Sequence, residues 1–192
     1  MNAQTVRSLL AESVRLKEKV LADDVRLEQV VRMAGIVVEA LRGGHRIYLC
    51  GNGGSAGDAQ HLAGELVGRF QKERDAWPAS ALTTDTGILT AIGNDDTFDR
   101  VFARQVEAFV RAGDVLIGIT TSGDSVNVLA AARTAREKGA RVLGLAGRGG
   151  GKLKALCDEC FVVPSDVTCR VQEVHITVGH IICDLVEREM TA

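Results

Sequence analysis

Apolar residues fall along this chain in two rhythms. Between residues 4 and 43 they recur every three or four positions: Leu9, Leu10, Val14, Leu16, Val20 and Leu21, then Val30, Val31, Ala34, Val37, Val38 and Leu41. That spacing lines one stripe of a helix. The stretch is predicted to be helical, dividing in two near Asp23-Asp24 and ending at Gly43-Gly44. After residue 46 the rhythm changes to short continuous apolar runs at 47–50, 80–83, Val115–Thr120, Arg141–Ala146 and 160–163. Runs this short, without alternation, read as strands buried on both faces. Helical patterns lie between or after them at 98–110, 126–138, briefly near 153–156, and finally at about 170–190. Strands alternating with helices predict an α/β fold, a five-stranded parallel sheet between two helical layers. Residues 1–44 are expected to form N-terminal helices and 45–192 the sheet domain. A long apolar helix ahead of a domain must bury its stripe on that domain or on another subunit, and the pattern leaves both open.

Bulk properties narrow the class. The 192 residues suit one domain with some elaboration. A formal net charge of −2 argues against a nucleic-acid or acidic-membrane surface. No apolar run is long enough to span a bilayer, and the charged N-terminus lacks a signal-peptide core, so a cytoplasmic location is the default expectation. The five cysteines are an odd number, which speaks against a full disulfide framework. Cys157-Asp-Glu-Cys160 has C-x-x-C spacing but no second pair, and is expected to hold incidental or buried thiols.

Candidate chemistry gathers in five places. The first is Gly51-Asn52-Gly53-Gly54-Ser55, a glycine turn between a strand and a helix, where backbone amides can face an anion. A plain strand-to-helix turn is the simpler reading. The second is Thr120-Thr121-Ser122-Gly123-Asp124-Ser125, where four hydroxyls precede a helix N-terminus. Capping needs only one of them, so the cluster suits a phosphate, although Asp124 must point away. The third is His61 with Glu65, four apart and so on one helical face. The fourth is the last helix, with Gln172, His175 and His180; His175 falls on another side and is expected to be incidental. The fifth is Gly93-Asn94-Asp95-Asp96, which reads as a turn.

Together GNGGS, DAQHLAGEL, TTDTGILTAIGND, TSGDS and RVQEVHI-x-x-x-H resemble the phosphoheptose isomerases of the sugar-isomerase (SIS) superfamily, from about residue 46 to 190. The resemblance implies an αβα sandwich of the SIS type and conversion of sedoheptulose 7-phosphate to glycero-manno-heptose 7-phosphate, toward lipopolysaccharide or other heptose products. It implies a homotetramer built through the N-terminal helices, with active sites between subunits. It assigns sugar contacts to Asn52, Gly53, Gly54, Asn94 and Asp95, and places Ser55 and Gln172 in the substrate site. Phosphate contacts fall to Thr120, Thr121, Ser122 and Ser125. One zinc ion per subunit would be held by His61, Glu65, Gln172 and His180. Glu65 and His180 would be the base and acid of an ene-diolate mechanism, with Glu65 also touching substrate. Thr120 and Asp124 stand where relatives often carry Ser and Asn. Two rivals follow from the same superfamily: a non-catalytic protein that binds the replication initiator DnaA, and an isomerase of another sugar phosphate. Retention of all four His/Glu/Gln/His positions argues against the first.

Overall fold

The computed structural model describes residues 2–192. Two helices of equal length come first, α1 (Ala3–Leu21) and α2 (Asp24–Arg42). The break falls where the acidic pair predicts it, because the Asp23 carboxylate accepts from the Arg26 N–H and caps α2. Gly43 ends α2, and Gly44 then takes φ +75°, a left-handed conformation that favours glycine.

Strands β1 (Ile47–Gly51), β2 (Ala79–Ala81), β3 (Val115–Thr120), β4 (Arg141–Ala146) and β5 (Glu159–Val162) form one parallel sheet in the order β2-β1-β3-β4-β5. Between them run α3 (Gly54–Val67), α4 (Thr86–Asp95), α5 (Ala103–Phe109) and α6 (Val126–Glu137), and α7 (Thr168–Met190) closes the chain. One layer packs α2, α3 and α7 against the sheet through Met33, Val37, Leu62, Leu66, Val174 and Ile182. The opposite layer uses α5 and α6, through Val106, Val128, Ala132 and Ala135. The strand order reverses between β1 and β3. At such a switch point the loops leaving the carboxyl ends of the strands diverge and open a crevice. The two loops here are the glycine turn and the hydroxyl cluster.

Three sequence expectations need correction. The 80–83 strand is instead Ala79–Ala81, since Thr84 turns back and donates its hydroxyl to the Ala81 carbonyl. The 98–110 helix is a 3-10 turn at Phe98–Arg100 followed by α5. The Gly93–Asp96 segment is no separate turn. It is the end of α4, a helix capped by Asp85, which accepts from the Ile88 N–H. Two glycines and several β-branched residues give α4 little intrinsic propensity, and none of its residues is fully buried, so its periodicity is faint.

Candidate active site

Gly51 can only be glycine. A side-chain carbon there would lie 2.7 Å from the Ser55 carbonyl oxygen and 2.9 Å from that of Ile119. The chain then turns through Gly53 at φ +56° and enters α3 at Gly54. Ser55 is buried in the first turn. Asn52 does not project freely. It exchanges two hydrogen bonds with Asn127 of α6, at 2.8 and 2.9 Å. Asn127 is buried and also accepts from the Val128 N–H. Sequence reasoning missed Asn127, because no local pattern marks a partner 75 residues away. The amide pair ties the turn after β1 to the helix after β3, across the switch point.

The second loop is built from hydroxyls that bond one another. Thr120 Oγ1 lies 2.8 Å from Ser125 Oγ and 3.3 Å from Ser122 Oγ. Ser125 stands at the N-cap of α6, yet its side chain makes no capping bond. The simple capping reading therefore does not explain that hydroxyl. Asp124 is turned away, its carboxylate accepting from the Lys152 backbone N–H at 3.1 Å. Thr121 is half-buried beside the cup.

The third group crosses from α3 to α7. His61 Nε2 sits 2.8 Å from His180 Nε2 and 3.1 Å from Glu65 Oε1, and the rings meet edge to face at 5.0 Å. One donor atom from each residue lies within 4.8 Å of the other two. Two imidazole nitrogens at hydrogen-bond distance, with a carboxylate beside them, can share a proton or bind a cation. Two histidines and a glutamate are a donor set suited to a divalent metal with a coordination position left open. The residues present fit such an ion. Gln172 lies two turns before His180, and its amide packs directly on Gly54, where any side chain would collide with it. It thus bridges α7 to the glycine turn. Asn94 and Asp95 are exposed at the end of α4; Asn94 donates to Asp95 at 2.7 Å. Among the described residues no hydrogen bond joins that pair to the turn or the cup.

Below the cluster the same two helices are clasped by a buried ion pair. Glu187, one stripe along α7 from His180, accepts from the backbone N–H groups of Phe70, Gln71 and Lys72 at 2.7–3.0 Å and from Arg74 Nε at 3.2 Å. Burial pushes its carboxyl up, but these donors outweigh it and hold the group below its usual range. Arg74 also donates to the carbonyls of Glu65 and Leu66, closing the end of α3, and stacks 3.5 Å over Trp77. The Phe70 ring, fixed by this clasp, rests against His180 at 5.7 Å. His175, by contrast, faces the core. It is fully buried, neither ring nitrogen meets a partner in hydrogen-bond geometry, and burial lowers it to about 4 despite the pull of the Ala146 carbonyl.

A cavity of about 390 Å³ lies beside Asp95, Asp96 and Arg100. Another of about 380 Å³, lined by Arg46, Tyr48, Pro78 and Phe109, opens at the amino ends of β1 and β2, opposite the crevice. No helix among the described residues is long and apolar enough to cross a membrane.

Comparison with known proteins follows the same lines. Residues 10–147 match the SIS domain family. The chain is 48% identical to the phosphoheptose isomerase of Clostridium acetobutylicum over 185 residues, 96% of this chain and 94% of that one. It is 59% identical to the phosphoheptose isomerase of Nitratiruptor sp. over 152 residues, 79% and 81% of the two chains. It superposes on the solved phosphoheptose isomerase of Neisseria gonorrhoeae with a TM-score of 0.90 at 44% identity, covering 96% of this chain and 98% of that one. For the Francisella tularensis enzyme the TM-score is 0.93 at 34% identity, with 98% and 100% covered.

Proposed function

We propose a reaction from one premise: the chain belongs to the phosphoheptose isomerase family of SIS-domain proteins. It is an aldose–ketose isomerase converting sedoheptulose 7-phosphate to D-glycero-D-manno-heptose 7-phosphate, the first step toward activated heptose. The observation that carries the chemistry is the convergence of His61, Glu65 and His180 within one chain.

The phosphate is held by Thr120, Thr121, Ser122 and Ser125; the hydrogen bonds of Thr120 to Ser122 and Ser125 keep those three hydroxyls in place before the anion arrives. The amino end of α6 adds its dipole. The sugar is assigned to the turn Asn52, Gly53, Gly54 and Ser55, where Asn127 holds the Asn52 amide, with Asn94 and Asp95 as further contacts to its hydroxyls. Glu65 removes a proton from C1 of the ketose while His180 protonates the carbonyl oxygen on C2, giving an ene-diol or its anion. Returning the proton to C2 and removing the one on O1 completes the aldose. One Glu65 oxygen is directed at His61, which leaves the other for the C1 proton. His61, Glu65, Gln172 and His180 would hold a zinc ion, which when bound would polarise the carbonyl and lower the energy of the developing charge. The protein works in the cytoplasm as a homotetramer with sites between subunits. Support for assembly is the outward row Val6, Leu9, Leu10 and Val14 on α1, all about half exposed or more. In this reading residues 1–44 serve oligomerisation and 45–192 carry the site.

The test is Glu65→Gln, assayed with sedoheptulose 7-phosphate while substrate binding is followed by calorimetry. Turnover should vanish with binding retained; near-normal turnover rejects the role of Glu65. A panel of five- to seven-carbon ketose phosphates, with zinc added and withdrawn, fixes the substrate and the metal.

A further inference from the structure

Away from the crevice, the C-x-x-C segment has a geometry the sequence alone did not reveal. Cys160 lies in β5, in register with Gly144 of β4. Cys157 leaves the preceding 3-10 turn in an extended conformation. A carbon built on Gly144 would meet Cys157 Sγ at 2.7 Å and Cys160 Sγ at 2.8 Å. Both sulfurs therefore occupy the space that a side chain at 144 would fill, and they are no farther apart than those two contacts laid end to end. The two intervening residues are anchored. Asp158 accepts from the Val142 N–H at 2.7 Å and pairs with Arg141, and Glu159 accepts from Gln29 and Arg32 of α2. The segment thus holds two free thiols over one glycine, one half-exposed and one buried.

We propose that Cys157 and Cys160 form a dithiol that a hydroperoxide closes to an intramolecular disulfide. One sulfur, as thiolate, attacks the terminal peroxide oxygen; the S–O bond forms, the O–O bond breaks and alkoxide leaves, or hydroxide from hydrogen peroxide. The second sulfur then displaces the hydroxyl group from the first. Its proton and the displaced hydroxyl leave as water, so two electrons pass from the dithiol to the peroxide and two waters form with hydrogen peroxide. The hydrogen bond between the two thiols lowers Cys160, with Lys154 beside it adding to the effect, while that bond and burial raise Cys157, so Cys160 is the sulfur that favours the thiolate. The pair sits on the β4–β5 side of the sheet and uses none of the residues proposed for isomerisation, so this inference stands or falls separately from that reading.

The full chain should be treated with hydrogen peroxide until exposed Cys169 is consumed, then alkylated and mapped by mass spectrometry. The expected result is loss of three of the five free thiols, Cys169 by oxidation and the other two to one Cys157–Cys160 cross-link, lighter by two hydrogens and reopened by dithiothreitol. In Cys169→Ser the cross-link should persist. In Cys157→Ser it should disappear, and Cys160 should be trapped by dimedone as its sulfenic acid. If Cys157 and Cys160 both remain alkylatable after Cys169 has reacted, or reach only sulfinic acids, the proposal is overturned. Far-UV circular dichroism of each variant checks that the sheet has formed.

Discussion

The contact between α3 and α7 has two ends that follow opposite rules. At one end Glu187 and Arg74 are buried and fully paired, with four donors on the carboxylate and backbone acceptors on the guanidinium. At the other, His61, Glu65 and His180 crowd their polar atoms together in a partly open cleft. A satisfied buried pair fixes a shape. A cluster of converging donors leaves capacity for a ligand. The same two helices thus make a closed, satisfied contact at one end and an open cluster of converging side chains at the other, joined by Phe70, which the clasp holds against His180.

That contrast can be broken in four ways. Glu65→Gln should lower turnover by ~10^4-fold, about 5.5 kcal/mol of barrier, with the denaturation midpoint hardly changed; a large loss of stability would erase the distinction. Glu187→Ala should do the reverse, costing about 3–5 kcal/mol of stability because Arg74 and three backbone N–H groups lose their acceptor. Urea denaturation measures it, and an unchanged midpoint would show that the clasp fixes nothing. His175 tests a third condition on α7, burial without a partner. Its folded value of about 4 lies below the ordinary 6.5, so the unfolded chain binds the proton more readily. Stability is full above pH 6.5 and falls by about 3 kcal/mol as pH drops to 4. His175→Leu should flatten that part of the pH–stability curve relative to wild type. Thr120→Val is the smallest expected effect. It removes the hydroxyl that links Ser122 and Ser125, and should raise KM by roughly tenfold while kcat changes less, as steady-state kinetics would report.

Much of this was legible in the chain. β3 and β4 fall on the expected residues, since each is a continuous apolar run stopped by polar or glycine-containing segments. His61 and Glu65 were visible because i,i+4 spacing is local. Both candidate loops were visible for the same reason. What stayed hidden depends on distance along the chain. Arg74 reads as one more charge in a loop, and its partner Glu187 lies 113 residues on, so no local pattern joins them. The Asn52–Asn127 pair and the two sulfurs over Gly144 likewise need the sheet order before they can be seen. α4 was missed for a local reason, its weak propensity and absence of buried positions.

The 119 residues separating His61 from His180 also bear on how the protein is made. During synthesis α3 leaves the ribosome long before α7, the last helix of the chain. Until α7 docks, the donor cluster is half built and residues 70–72 have no carboxylate to gather them. A chain lacking α7 would therefore hold only His61 and Glu65 of the three converging side chains, so the cluster is completed late in folding, when α7 docks on α3.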